Sequence, residues 1–259
     1  MPGIDSYAKI VLHMDGADTS TTFTDSSLSP HTMTANGNAQ IDTAQSKFGG
    51  ASGLFDGTGD YLSIPDHADW SLGTGNFTVD FWMRINSISG YQAIFGQWQS
   101  NTNQYRLLIN TGSLEFYVDT GGSTVIAMNR SFTWSTGTWY HVALVRTGND
   151  FMMFVDGTQI GTTLTDTDAI GDYAGSMYLG TDFNDGVGTH FNFNGWIDEF
   201  NWVKGTALYT ANFTPPTNPY GTSSASASAS LSPSASQSPS SSASASVSPS
   251  SSTSASSSA

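Results

Sequence analysis

Apolar and polar residues alternate with a period of two along most of the first 220 positions. In the segment FTVDFWMRI (77–85) the odd positions are all apolar and the even positions are mostly polar. Strand side chains alternate between two faces, so this pattern predicts a strand with one buried face. The segment TWYHVALVR (138–146) is apolar at odd and even positions alike. It is therefore predicted to be a central strand that is covered on both faces.

Turn-forming residues separate these segments along the chain. In FMMFVDGTQIG the dipeptide Asp156-Gly157 is placed for a two-residue type I′ turn, which predicts a hairpin. No segment carries a sustained apolar period of 3.6 residues. Many short strands separated by turns predict an all-β fold in which two antiparallel sheets pack as a sandwich or jelly roll.

The stretch GWIDEFNWV (195–203) raises a problem of burial. Strict alternation would place four residues on one face of this strand: Trp196, Asp198, Phe200 and Trp202. A carboxylate among aromatic rings is costly unless it is paired or protonated. Asp198 is therefore expected to have a partner.

The C-terminal part of the chain has a different composition. From Ser223 onward it contains only small, polar or aliphatic residues and proline, without charge, aromatic ring or glycine, and every even position from 224 to 258 is serine. Such a segment has too little apolar surface to offset the entropy of ordering, which predicts a disordered linker or stalk. The expected organisation is one domain over residues 1–220 and a low-complexity tail over 221–259.

Charge and composition exclude several classes of function. The chain carries 21 acidic and seven basic residues, a net charge of −14, which argues against nucleic acid and anionic membranes as partners. The chain has no cysteine, so it has neither a thiol nucleophile nor a disulfide. Neither a signal peptide nor an apolar run long enough to span a membrane is recognisable.

Five sequence landmarks in order resemble a known family. They are HMDGADTSTTFTDSS, then KFGGASGLFDGTGDYLSIPDHADWSLGTGNFTVDFWMRI, GTWYHVALVR followed by FVDGTQIG, MYLG, and FNGWIDEFNWVKGTALYTANFTPP. Over residues 9–216 the chain resembles the laminin-G-like jelly-roll domains of the concanavalin A-like lectin/glucanase superfamily. The resemblance implies an all-β, two-sheet antiparallel jelly roll. The form with LYTANFTPP after the last strand resembles domains of tailed-phage and bacterial surface proteins.

The sequence carries no pattern for glycoside cleavage. That chemistry normally requires two carboxylates that flank the bond, and the glucanases of the superfamily carry Glu-x-Asp-x-x-Glu on one strand. This chain has two glutamates, Glu115 and Glu199, and neither lies in that pattern. A packed or hydrogen-bonded role is predicted for His141, which lies in the middle of a strand. We therefore expect a protein that is not an enzyme.

One candidate partner for Asp198 is a calcium ion, which binds six to eight oxygen ligands. Asp15 and Asp25 follow strand-like runs near the N-terminus, and the first and last strands of a jelly roll commonly pair. The resemblance implies a structural Ca²⁺ with Asp15, Asp25 and Asp198 as ligands.

A second interpretation needs no ion. Asp198 would then form a salt bridge with Arg84, Arg146 or Lys204, or would accept hydrogen bonds from backbone N–H groups. Asp15 and Asp25 would be ordinary turn residues.

A sugar would be expected to bind where an aromatic ring lies beside amides or carboxylates. Two loop-like stretches have that composition, GQWQSNTNQY (96–105) and DFNDGVGTHFNFN (182–194). The candidate ligand-binding residues are Trp98, Asn103, Tyr105, Asp182, Asn184 and His190.

These observations predict a non-catalytic carbohydrate-binding or adhesion module that recognises surface glycans and contains a structural calcium ion. Its expected location is extracellular or at the surface of a virion. The alternative is a structural or decoration protein of a virion or cell surface, which binds protein neighbours and no sugar. A lectin should present an exposed aromatic ring beside Asn or Asp in a groove, whereas a decoration protein should present a flat apolar patch.

Overall fold

A computed structural model describes residues 4–182 and 191–221. The predicted tail lies outside the described residues except for Gly221. In the described ranges the only helical element is a 3₁₀ turn at Ala68–Trp70. The strands in chain order are β1 (Ala8–Leu12), β2 (Thr34–Asn36), β3 (Gln40–Asp42), β4 (Ser52–Asp56), β5 (Tyr61–Ile64), β6 (Phe77–Ile85), β7 (Gln92–Ser100), β8 (Asn103–Asn110), β9 (Ser113–Thr120), β10 (Ser123–Ser131), β11 (Trp139–Thr147), β12 (Asp150–Val155), β13 (Thr158–Gln159), β14 (Leu164–Thr165), β15 (Met177–Leu179) and β16 (Asn194–Lys204).

The strands form two antiparallel sheets. The larger sheet has nine strands in the order β13-β12-β11-β6-β16-β4-β3, to which β1 is added on β16 and β14 on β12. The smaller sheet has seven strands in the order β10-β9-β8-β7-β15-β5-β2. The predicted all-β two-sheet architecture is confirmed. So is the predicted pairing of the first strand with the last, because β1 runs antiparallel to β16.

Both sheets contribute apolar side chains to one central core. The five odd positions of β6 are all buried in it, as the alternation predicts. Aromatic rings from the two sheets pack against each other across the core. The ring centroids of Phe95, in the smaller sheet, and Trp202, in the larger sheet, are 5.6 Å apart, and the ring planes are inclined at 82°. Tyr105 stacks on the same tryptophan at 6.2 Å.

The outer face of the larger sheet is also covered. Ala143 and Val145 of β11 belong to a second buried cluster, on which the partly buried Tyr209 and Phe213 pack. The rings of Tyr209 and Phe213 are nearly parallel, with centroids 3.7 Å apart. The prediction that β11 is covered on both faces is therefore confirmed.

The predicted turn after β12 is also present. Asp156 and Gly157 have φ angles of 49° and 74°, the left-handed values that a type I′ turn requires at both central positions. A Cβ atom on Gly157 would lie 1.9 Å from the carbonyl oxygen of Phe213. Glycine is needed here both for its backbone angle and for the close approach of the C-terminal segment.

The prediction of strict alternation along β16 is wrong. A β-bulge lies between Asp198 and Asn201, and Glu199 has a φ of 52°. Before the bulge Asp198 is paired with Trp82 on the outer face of the sheet, and after it Phe200 and Trp202 face the central core. The extra residue reverses which positions point inward. Asp198 therefore does not share a face with Phe200 and Trp202.

No helix within residues 4–182 and 191–221 has the length and apolar character that crossing a membrane demands.

Candidate functional site

Asp198 is completely buried on the outer face, under a loop that connects β3 to β4. Its Oδ2 atom accepts hydrogen bonds from the backbone N–H groups of Lys47, at 2.7 Å, and Phe48, at 3.1 Å. Its Oδ1 atom is buried without a hydrogen-bond partner among the described residues. Burial raises the pKa of Asp198 to about 7, and repulsion from Glu199 and Asp15 adds to the effect, whereas the two N–H bonds oppose it. One carboxylate oxygen thus lacks a compensating group.

Asp15 approaches the same loop. A Cβ atom on Gly49 would lie 2.0 Å from Asp15 Oδ1, so any larger residue at this position would displace the carboxylate. The side chain of Asp15 is exposed, yet partial burial of its carboxyl group raises its pKa. His13 Nδ1 lies 2.9 Å from Glu199 Oε1, and this hydrogen bond is the main reason that the pKa of His13 is raised. Asp15 and Glu199 are near enough to Asp198 to repel its charge, and we call these three residues the carboxylate cluster, although among the described residues they are not a group of three ligand atoms within 4.8 Å. His13 and Lys47 are neighbouring groups that can carry positive charge.

Asp25 occupies a different environment. Both of its oxygens are hydrogen-bonded: they accept from the N–H groups of Val11, Ser27 and His31 and from the Ser27 hydroxyl, at 2.8–3.0 Å. Within the described residues, Asp15, Asp25 and Asp198 do not form a three-ligand group with ligand atoms inside 4.8 Å. The structure links Asp15 with Asp198 and places Asp25 as an anchor of the segment after β1.

The predicted salt-bridge partners of Asp198 are engaged elsewhere. The guanidinium group of Arg84 lies over the Trp196 ring at 5.0 Å. Arg146 donates to backbone carbonyls, and Lys204 Nζ donates to the carbonyl of Ala68 at 2.6 Å. The backbone N–H bonds proposed in the second interpretation are present, but they satisfy only one of the two carboxylate oxygens of Asp198.

An open polar groove of about 220 Å³ lies elsewhere in the fold. We call it the Tyr91 groove, and its lining residues are Gly57, Ser87, Ser89, Tyr91, Gln92, Asn192 and Asn194. The Tyr91 side chain is 43% exposed, and its ring lies 5.3 Å from the ring of Phe191. An exposed ring beside hydroxyl and amide groups is the arrangement expected of a sugar-binding site.

Hydrogen bonds hold the polar wall of the groove in place. Gln92 donates through Nε2 to the carbonyl of Ser87, and its Oε1 accepts from the backbone N–H of Asn194 at 2.8 Å. Asn194 Oδ1 accepts from Asn86 Nδ2 at 3.0 Å. A Cβ atom on Gly57 would lie 2.8 Å from Asn194 Nδ2, so glycine keeps this side of the groove open.

Two predicted ligand residues, Trp98 and Asn103, lie near the end of the β7–β8 hairpin. Trp98 is half-buried, and its Nε1 donates to Asn101 Oδ1 at 3.3 Å. Asn103 Oδ1 accepts from the N–H of Gly121 at 3.0 Å. Tyr105 was expected to offer its ring to a sugar, but it is only 1% exposed and is part of the core. The alternation that buries one face of β8 turns this ring inward.

The described residues of the second predicted loop, Asp182 and 191–194, lie at the opposite end of β7. Asp182 is buried, and its Oδ1 accepts from the N–H of Phe191 at 2.8 Å. The carbonyl of Phe191 in turn accepts a hydrogen bond from the N–H of Ala93. Ala93 precedes Trp98 by five residues on β7, so the two are ~17 Å apart along the strand. The described residues of the second loop, Asp182 and 191–194, therefore do not adjoin Trp98. Asn184 and His190 lie outside the described residues.

The groove was missed by sequence reasoning because its parts come from three distant segments. Asn192 and Asn194 both lie within the predicted second loop, but the aromatic ring comes from the NSISGYQ segment before β7. An aromatic residue after a Gly/Ser-rich turn was the available signal. Asp182 holds the backbone of Phe191, whose ring packs beside the ring of Tyr91.

Two antiparallel sheets around one apolar core, with an exposed polar groove at one end, define a lectin-like jelly roll. Residues 56–209 match the laminin-G-type sequence model of the concanavalin A-like lectin/glucanases superfamily. The match covers more than half of the chain, and the protein belongs to this superfamily. No curated protein matches the sequence.

Several solved structures with a similar fold are domains of larger proteins. The binding domain of botulinum neurotoxin serotype D aligns with a TM-score of 0.59 at 16% identity, over 78% of this chain and 49% of the other. The binding domain of Paraclostridial Mosquitocidal Protein 1 gives 0.60 at 17% identity, over 78% and 49%. Domain 4 of AbnA, a GH43 extracellular arabinanase from Geobacillus stearothermophilus solved in complex with arabinotriose, gives 0.57 at 16% identity, over 78% and 96%. This chain thus spans about half the length of the two toxin domains and nearly all of the arabinanase domain.

Proposed function

We propose that this domain is a non-catalytic carbohydrate-binding module that recognises surface glycans and serves adhesion, from an extracellular or virion-surface position. The observation that carries the proposal is the Tyr91 groove. It combines one exposed aromatic ring with hydroxyl and amide groups that are already fixed by hydrogen bonds.

The chemistry of the groove suits a neutral sugar. The face of the Tyr91 ring offers apolar contact to the C–H face of a sugar ring, and Asn192 and the serine hydroxyls offer donors and acceptors for its hydroxyl groups. The lining residues that the structure describes include no charged side chain. A neutral lining disfavours phosphorylated or strongly anionic ligands.

The lining also supports binding rather than cleavage. Glycoside hydrolysis normally uses two carboxyl groups about 5–10 Å apart. The described lining of the groove contributes none. The likeness to an arabinanase domain solved with arabinotriose and to toxin binding domains supports a glycan or receptor as the kind of partner.

The proposal includes a structural calcium ion at the carboxylate cluster. The buried, unpartnered Oδ1 of Asp198 and the adjacent Asp15 carboxylate fit such an ion, because Ca²⁺ takes carboxylate and carbonyl oxygens. Asp198 and Asp15 would hold the ion, whose charge would compensate the buried carboxylate. Asp25, with both oxygens occupied, would fix the neighbouring backbone instead.

The competing function is a structural or decoration protein of a virion or cell surface, with protein neighbours and no sugar ligand. Such a role calls for a flat apolar contact surface. Within the described ranges, the large apolar side chains that are clearly exposed are Tyr7, Leu28 and Tyr91. One of these three lines the polar groove, which favours the glycan-binding proposal.

A glycan-array screen of the full-length chain tests the proposal. It is run with the wild type, Tyr91→Ala and the matched control Tyr7→Ala, which removes an equally exposed tyrosine (48% against 43%) outside the groove lining. Each protein is screened once in calcium and once in EDTA. We expect the wild type and Tyr7→Ala to bind one class of neutral glycan and Tyr91→Ala to lose that binding.

A blank array from a folded sample would contradict glycan recognition and favour the structural role. Equal binding by Tyr91→Ala would refute the assignment of the groove. Loss of binding in EDTA would connect the calcium ion to the binding fold.

A further inference from the structure

Two histidines and an aspartate converge at a third place in the molecule, outside the groove and the carboxylate cluster. His31, His67 and Asp69 each offer one ligand atom, and these atoms lie within 4.8 Å of one another. Asp69 Oδ2 lies 3.1 Å from His31 Nε2 and 3.1 Å from His67 Nδ1. This His–His–Asp cluster is the one group of three or more potential metal ligands found at that spacing among the described residues.

The spacing matches that of ligands around a small divalent ion. Zinc binds imidazole nitrogen and carboxylate oxygen at about 2.0–2.2 Å, which places tetrahedral ligands about 3.3 Å apart. Both nitrogen–oxygen separations in the cluster are close to that value. The two nitrogen donors distinguish the cluster from a calcium site, since Ca²⁺ takes oxygen ligands.

His67 Nδ1 lies close to two groups of Asp69. It accepts a long hydrogen bond from the Asp69 backbone N–H, at 3.2 Å, and it lies 3.1 Å from Asp69 Oδ2. An imidazole nitrogen has one lone pair, so it can accept this hydrogen bond or bind a cation, but not both. Binding of a cation between Nδ1 and Oδ2 would therefore replace one long hydrogen bond.

Packing fixes the ligand-bearing segments before any ion binds. The His31 ring lies 4.8 Å from the buried Trp70 ring, and the His31 backbone N–H is held by the buried Asp25 at 2.8 Å. The carbonyl of Asp69 accepts from Trp202 Nε1 at 3.3 Å. Two core tryptophans and a buried carboxylate therefore position the cluster, as outer-shell groups do around metal ligands in proteins.

We propose that His31, His67 and Asp69 bind a late first-row divalent metal ion, with Zn²⁺ as the physiological candidate. The His31 Nε2, His67 Nδ1 and Asp69 Oδ2 atoms are the three protein ligands. The side chain of His67 is 52% exposed, so the fourth coordination position is open to water or to an oxygen of a bound partner. The site is independent of the proposed glycan function.

Calorimetric titration of the untagged, metal-free full-length chain with Zn²⁺ tests the site. His67→Asn is the first variant, because asparagine keeps an acceptor for the Asp69 N–H and the position is exposed; Asp69→Asn is the second. Asp66→Asn is the matched control: it removes one carboxylate charge from the same loop but no cluster ligand. Melting in EDTA confirms that all three variants fold.

We expect the wild-type chain to bind one Zn²⁺ and Asp66→Asn to bind it with unchanged affinity. The affinity of His67→Asn and Asp69→Asn should fall about tenfold or more, since even the loss of a group that only contacts a metal ligand lowers metal affinity ~10–100-fold. Cu²⁺ should quench tryptophan fluorescence in the wild type more than in His67→Asn, because Trp70 adjoins His31. The proposal is overturned if the wild type shows no saturable binding. It is equally overturned if His67→Asn and Asp69→Asn bind Zn²⁺ as tightly as the control.

Discussion

Replacement of Asp198 by asparagine tests the reading of the carboxylate cluster. The substitution keeps an oxygen that can accept the two N–H bonds from Lys47 and Phe48, and it removes the charge. In the absence of calcium, the ionised carboxylate of Asp198 destabilises the folded state. Because its folded pKa is about 7 against a usual 3.8, the folded state takes up the proton more readily than the unfolded chain does.

The magnitude follows from that shift. Each pKa unit corresponds to about 1.4 kcal/mol, so wild-type stability should fall by about 4 kcal/mol in all as pH rises from below 3.8 to above 7. About 3 kcal/mol of this loss falls between pH 5 and pH 8. The new asparagine leaves one buried N–H₂ group unsatisfied, at a cost of ~1–3 kcal/mol. Asp198→Asn should therefore be less stable than the wild type at pH 4 and more stable, by ~1–3 kcal/mol, at pH 8.

Urea unfolding from pH 4 to pH 8 measures this crossing, first in EDTA and then in excess calcium. Calcium at 100 times its dissociation constant should stabilise the wild type by about 2.7 kcal/mol and the variant far less. Stability curves that run parallel in EDTA would refute the burial of an uncompensated carboxylate. If the stability of the wild type at each pH is the same with and without calcium, the proposed calcium site is wrong.

Three further changes probe how the fold is held together. Gly157→Ala should lower the free energy of unfolding by more than about 1–2 kcal/mol, because alanine disfavours the left-handed backbone and its Cβ would meet the C-terminal segment; urea unfolding measures this. Tyr220→Phe removes the hydroxyl that donates a hydrogen bond to the buried Asp80 carboxylate at 2.6 Å. The free energy of unfolding should fall by ~1.5–3 kcal/mol in the same assay, and a fall of less than about 0.5 kcal/mol would contradict a stabilising role of this bond. His13→Gln should destabilise the protein more at pH 6 than at pH 9. The raised pKa of His13 contributes stability that is present below pH 6.5 and is lost as pH rises through the pKa of the folded state. Equal losses of stability at both pH values would contradict a charged pair between His13 and Glu199.

The fold was accessible from the sequence because its strands obey a local rule. The alternation of β6, the two-sided burial of β11 and the Asp156-Gly157 turn all depend on neighbouring residues only. The same rule failed at Glu199, where a residue other than glycine adopts a positive φ and shifts the register. No residue type in that stretch signals a bulge, so the surroundings of Asp198 were predicted wrongly. The expectation that its buried carboxylate needs a partner did not depend on the bulge.

The sites were less accessible because they are assembled across the fold. Tyr91 and Asn192 are about 100 positions apart and meet only through strand pairing, as do His31 and Asp69 at a smaller separation. Tyr105 was misplaced for a related reason: composition marks an aromatic residue in a polar loop, but not the face of the strand to which it points.

A crystal structure of the full-length chain with the neutral glycan that binds best on the array would show whether the Tyr91 groove is the binding site. We predict a sugar ring within about 4 Å of the Tyr91 ring, with hydrogen bonds to Asn192 or Asn194. A glycan bound instead at the β7–β8 hairpin beside Trp98, with the Tyr91 groove empty, would contradict it.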